Sequence, residues 1–130
     1  MKVLANDGLE ISAINEIKKN GISIETNHLY KEALIENIKD YDVLVVRSAT
    51  KVTSEVLEAG AKGNLKLVIR AGVGIDNIDL DYAEKVGIKV RNTPNASSDS
   101  VAELALGHMF SVARTAAPAR RTPWRHTWPP

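Results

Sequence analysis

Val43-Leu44-Val45-Val46-Arg47-Ser48-Ala49-Thr50 sets four apolar residues in a row against an abrupt polar turn. An unbroken run of this kind suits a strand covered on both faces, where a strand with one wet face would alternate. Upstream, Leu34, Ile35 and Ile38 share one helical face, and Ile22 and Ile24 alternate with polar neighbours as an edge strand. Before them, Leu9, Ala13, Ile14 and Ile17 mark a helix that stops near Asn20-Gly21, with Lys18 and Lys19 suitably placed in its last turn. Val3-Leu4-Ala5 is the first strand, ended by the turn-prone Asn6-Asp7-Gly8. Downstream, Thr53 or Ser54 is placed to cap a short helix containing Val56, Leu57 and Ala59, which Gly60 helps to end. Leu65 to Ile69 is the next strand. A helix with Ile78, Leu80, Ala83 and Val86 as its buried positions follows, closed by Gly87, and Ile88 with Val90 completes a fifth strand. This is βαβ spacing. It predicts an α/β fold with a mostly parallel five-stranded sheet and helices on both faces.

Beyond Pro94 the pattern changes. Ser100 and Glu103 have the spacing of a capping box. Val101, Leu104, Ala105, His108, Met109 and Val112 line one stripe of a helix over 100–113, and Leu106 and Phe110 widen it, so the helix needs cover on more than one side. Residues 1–113 hold all 16 acidic residues against 13 lysines and arginines, a net charge of −3. Residues 114–130 hold Arg114, Arg120, Arg121 and Arg125 and no acid, together with both tryptophans and four of the five prolines. The expected organisation is therefore a domain over 1–99, the helix over 100–113, and a poorly ordered basic Pro/Trp-rich tail over 114–130. Without cysteine, disulfides and thiolate sites are excluded. No apolar run is long enough for a membrane span, and the start lacks a secretory pattern, which together fit a cytoplasmic protein with no membrane partner.

Ligands of doubly wound sheets bind beyond the carboxyl ends of the strands. The loops that matter are therefore Asn6-Asp7-Gly8, Arg47-Ser48-Ala49-Thr50, Arg70-Ala71-Gly72-Val73-Gly74 and Asn92-Thr93-Pro94-Asn95. Arg47 beside hydroxyls and backbone N–H groups can grip a carboxylate or phosphate, or it can be a solvated arginine closing a strand. The amides of the glycine turn can converge on an anion, or the glycines serve geometry alone. Ile75-Asp76 stand where a dinucleotide fingerprint needs its third glycine, so this turn is not such a loop. Asn95 either bonds a ligand or caps its turn. Asp7 reads as a surface turn residue, His28 and His126 as solvated, and His108 as a satisfied or half-exposed imidazole rather than a general base. No cluster of His, Asp and Glu suggests a metal, and no catalytic residue is assigned.

Taken in order, these segments resemble D-3-phosphoglycerate dehydrogenases of the D-isomer specific 2-hydroxyacid dehydrogenase family. The resemblance rests on Val46-Arg47-Ser48-Ala49-Thr50-Lys51-Val52-Thr53, on Arg70-Ala71-Gly72-Val73-Gly74-Ile75-Asp76-Asn77-Ile78-Asp79, and on Asn92-Thr93-Pro94-Asn95-Ala96 with Val101-Ala102-Glu103-Leu104. It covers residues 1–113 and fades from Arg114 onward. It implies a flavodoxin-like substrate domain whose partner, a nucleotide domain, completes an active site in the cleft between them. It also implies oxidation of a 2-hydroxyacid by hydride transfer to NAD, with 3-phosphoglycerate as substrate and serine biosynthesis as context. Arg47 and Ser48 would bind substrate, the amides around Val73 and Gly74 would hold its carboxylate, Val73 would also lie near the nicotinamide, and Asn95 would border the site. The family's dinucleotide loop and its catalytic arginine, carboxylate and histidine would fall beyond these residues. This polypeptide alone is then expected to bind no NAD and to be inactive.

Two other functions compete. The apolar stripe of helix 100–113 suits a non-catalytic interaction or scaffold protein that forms a dimer or other homo-oligomer through it. The arginines and indoles of the tail could contact nucleic acid, but the patch is short and the body acidic, so nucleic acid is not the expected partner.

Overall fold

In the computed structural model, which describes residues 1–93 and 98–116, the sheet is built from β1 (Lys2–Ala5), β2 (Ser23–Glu25), β3 (Val43–Val46), β4 (Leu67–Arg70) and β5 (Lys89–Asn92). The strand order is β2-β1-β3-β4-β5, and every pairing is parallel. Helices α1 (Ile11–Lys19), α2 (Lys31–Asn37), α3 (Ser54–Lys62) and α4 (Leu80–Val86) connect successive strands, with a single 3-10 turn (Ile38–Asp40) after α2. The architecture is flavodoxin-like, with helices on both faces, as the spacing of the apolar runs requires.

Both faces of the sheet are buried because side chains alternate across each strand. Leu4, Leu44, Val46 and Val68 face α2, α3 and α4, where they meet Leu34, Val56, Leu57 and Ala83. Val3, Val43, Val45, Leu67 and Ile69 face the other way, against Ile17 of α1 and Met109 of the last helix. That helix, α5, runs from Ser98 to Ala116, packs along α1 and reaches β4. Its stripe is covered within the chain: Ala105, Leu106, Met109 and Val112 are buried, while Leu104 and Phe110 stay exposed.

Several local expectations need adjusting. α5 starts at Ser98, so Ser100 lies inside its first turn instead of capping it, and Arg114 to Ala116 are helical because no proline intervenes before Pro118. Residues 117–130, most of the expected tail, lie outside the described residues. Thr53 takes the N-cap position of α3, yet its hydroxyl caps nothing and is buried without a partner. Gly60 does not end α3; it sits buried within it, where a Cβ would collide with the Leu65 side chain. Leu80 is 40% exposed, because it opens α4 instead of facing the core. α4 does end on Gly87, at φ 81°, the left-handed conformation glycine adopts without steric cost.

Candidate functional site

In an all-parallel sheet every strand leaves by the same edge, so the loops after β1, β3 and β4 emerge side by side. The strand order reverses between β1 and β3, and such a reversal opens the crevice in which ligands of this architecture bind. Asn6-Asp7 lies on one side of that crevice and Arg47-Ser48-Ala49-Thr50 on the other.

Two side chains pin the second loop. Asp7 projects across from β1 and accepts the Arg47 amide at 2.7 Å, the Thr50 amide at 3.0 Å and the Thr50 hydroxyl. From the opposite side Asn77 donates to the Arg47 carbonyl at 2.8 Å and to the Thr50 carbonyl at 2.7 Å. The four backbone polar groups at the two ends of the loop are thus all engaged. Below it Asn6, fully buried, donates to the Thr50 hydroxyl at 2.9 Å and exchanges two further bonds with the backbone of Leu29. Such a satisfied buried network fixes one arrangement, since breaking any member strands the others. Arg47 and Ser48 are exposed at its rim, and the Arg47 guanidinium has no partner among the described residues.

The glycine turn is held next to this loop. Val46 and Arg70 are partners in the β3–β4 register, and an isolated parallel bridge between Val52 and Ile78 continues the connection past the loops. The Arg70 Nε donates to Asn77 Oδ1 at 3.2 Å, and a side chain at Gly72 would run into the same guanidinium. The Gly72 amide is consumed by the Arg70 carbonyl and the Thr93 hydroxyl. The amides of Val73 and Gly74 take no partner among the described residues, and Val73 is 65% exposed. Among the described residues the turn therefore offers two unengaged N–H groups beside an exposed apolar side chain. Asn95 lies outside the described residues.

Arg70 and Asn77 were not singled out in the sequence, and Asp7 overturns its reading as a surface turn residue: its side chain is only 3% exposed, because the loops on both sides fold over it. Histidine 28 is also less free than its polar neighbours suggest. Its Nδ1–H donates to the Asn6 carbonyl at 2.7 Å and lies 3.5 Å from Asp7. His108 is half-buried on α5, and burial together with the Arg91 charge holds its pKa below the ordinary imidazole value. Elsewhere Tyr41 donates its hydroxyl to Glu25, a bond that, with Lys2 beside it, holds the carboxyl below its usual range. Burial and that carboxylate push the tyrosine up to about 12. Perturbed groups often mark function, but here a hydroxyl, a carboxylate and an ammonium simply satisfy one another. Among the described residues no cluster of three or more His, Asp or Glu could hold a metal, and no helix is long and apolar enough to cross a membrane.

The chain is similar to known proteins along most of its length. It is 50% identical over 119 residues to a hydroxypyruvate reductase of Thermotoga maritima, covering 91% of this chain and 38% of that protein. It is 48% identical over 128 residues to a D-3-phosphoglycerate dehydrogenase of Methanocaldococcus jannaschii, covering 98% of this chain and 24% of that one. Its structure superposes on that of the NAD+-bound 3-phosphoglycerate dehydrogenase of Entamoeba histolytica with a TM-score of 0.62 at 35% identity, over 84% of this chain and 38% of the other. The chain thus spans well under half the length of each. The sequence profile described as "D-isomer specific 2-hydroxyacid dehydrogenase, catalytic domain" matches residues 3–121, further along the chain than the motifs alone reached. With more than half its residues inside that match and the five-stranded sheet to go with it, the chain belongs to the D-isomer specific 2-hydroxyacid dehydrogenase family.

Proposed function

We propose that this chain supplies the substrate-anchoring side of a cleft in an NAD-dependent oxidoreductase, with 3-phosphoglycerate as the 2-hydroxyacid and serine biosynthesis as its setting. One observation carries the proposal: an exposed guanidinium on a loop whose backbone is locked from both sides, beside a turn with two amides, all without partners among the described residues. A substrate with an anion at each end suits that rim. Arg47 and Ser48 would take the phosphate through charge-assisted hydrogen bonds, and the Val73 and Gly74 amides would take the carboxylate. Holding both ends would orient the C2 hydroxyl and its hydrogen toward the open side of the cleft. Bound NAD supplies the hydride acceptor. Val73, apolar and exposed, fits one face of a nicotinamide, and no described loop has the glycine spacing that cradles a pyrophosphate. The relatives' names support the reaction class, but they divide between hydroxypyruvate and phosphoglycerate, which differ by the phosphate and by the oxidation level of C2.

Titration of the 130-residue chain with 3-phosphoglycerate, followed by amide shifts, tests this. The expected result is binding that weakens about tenfold or more in Arg47→Ala, the consequence of losing a charge-assisted pair. Equal affinity for glycerate would shift the assignment to an unphosphorylated substrate. We further expect no reduction of NAD+ by these residues alone; turnover abolished by Arg47→Ala would show that the catalytic groups are already present. A second reading, self-association through α5, is favoured by Leu104 and Phe110, exposed at 42% and 46%. Light scattering over a range of concentrations decides it, since a constant monomer mass rules it out.

A further inference from the structure

We infer that Asp7 is the positioning residue of the anion site, acting from behind the loop that carries Arg47 and Ser48. This rests on the reading of that loop given above. A carboxylate is an unexpected neighbour for an anion-binding loop, because it opposes the ligand's charge. Its placement resolves the conflict: at 3% exposure, it meets two amides and a hydroxyl of the loop and a histidine ring, and presents nothing to the rim. Ionised, it satisfies these donors with short charge-assisted bonds.

The geometry has a chemical consequence. The amides of Arg47 and Thr50 point inward to Asp7, so both ends of the loop are closed to an anion and only the amides of Ser48 and Ala49 between them remain for one. Among this loop's ligand contacts, that of the Arg47 guanidinium depends most directly on Asp7, which fixes the residue's starting point at 2.7 Å through its own N–H. Asn77 holds the matching carbonyls but carries no charge, and it reaches the loop from the flank of the turn it also serves. Asp7 is the member that spans the crevice between β1 and β3.

The test uses the full 130-residue chain, with hydrogen exchange read amide by amide and 3-phosphoglycerate as the titrant. Asp7→Ala should speed exchange at Arg47 and Thr50 by tenfold or more and weaken binding by a similar factor. Asp7→Asn should recover most of both. Its amide oxygen can take the two N–H groups while its NH2 donates to the Thr50 hydroxyl; as a neutral acceptor it should leave about a threefold deficit. Asp42→Ala is the control for a merely structural carboxylate: Asp42 accepts the Lys2 amide at 2.7 Å at the other end of β3, so its loss should lower stability and leave the affinity alone. Folded Asp7→Ala with wild-type exchange at both amides overturns the inference, as does faster exchange with unchanged affinity. If Asp7→Ala does not fold, the threefold deficit in Asp7→Asn decides, and its absence overturns the inference. Should the wild type bind no 3-phosphoglycerate while exchange follows the expected order, the tether stands and the anion reading fails.

Discussion

At the scale of single residues, the site is made by side chains whose importance is invisible to local sequence. Asp7 meets its partners 40 and 43 positions away, and Asn77 meets its own 30 and 27 positions away. An aspartate between Asn6 and Gly8 has the composition of a turn, and only the pairing of β1 with β3 converts it into a buried acceptor. Arg47 was legible because it follows directly on an apolar run, and strand ends of this fold point at ligands. Gly60 shows the reverse error, a glycine read as a helix stop that is a point of close approach. Gly60→Ala should therefore destabilise the fold by about 1–3 kcal/mol, through forced movement of Leu65, although alanine is the better helix former. Urea unfolding measures this, and a stabilised variant would return Gly60 to a purely conformational role.

At the scale of elements, the five strands and four connecting helices were readable from period and punctuation, while several of their ends moved by one or two residues and those of β3 not at all. α5 was readable as a helix in need of cover, but its amphipathic stripe could not say whether the cover comes from within the chain. The structure answers with α1 and β4. His108 is half-buried on α5 within reach of the Arg91 charge, and it confers a pH dependence with a definite sign. Its folded pKa is depressed, chiefly by burial and then by Arg91, so as pH falls through about 6.5 the unfolded chain takes up a proton before the folded one does. Stability should decline as pH drops through that value and on toward the lower folded pKa; above it the imidazole is neutral in both states and contributes no slope. Comparing denaturation midpoints of wild type and His108→Gln at pH 8 and pH 5.5 isolates the effect. The wild type should lose more on acidification, and equal losses would mean that this imidazole is not desolvated.

For the molecule as a whole, the continuous apolar run of β3 and the βαβ spacing implied a mostly parallel sheet covered on both faces, whereas the order of its strands followed from no single segment. Order is a property of crossovers, set by how helices pack, and it creates the crevice between β1 and β3. The same all-parallel topology governs how the chain gets there. No strand pairs with a neighbour across a tight turn: Lys2 meets Ser23 and Val3 meets Val43, so each ladder must first close a long loop. Loop closure costs entropy before any pairing compensates it, and parallel sheets are accordingly slow to fold. β1, flanked by both β2 and β3, is synthesised first yet cannot be completed until residues past Val43 have emerged. During that interval its hydrogen-bonding edges stand open, and open edges of this kind are where incomplete chains associate with one another.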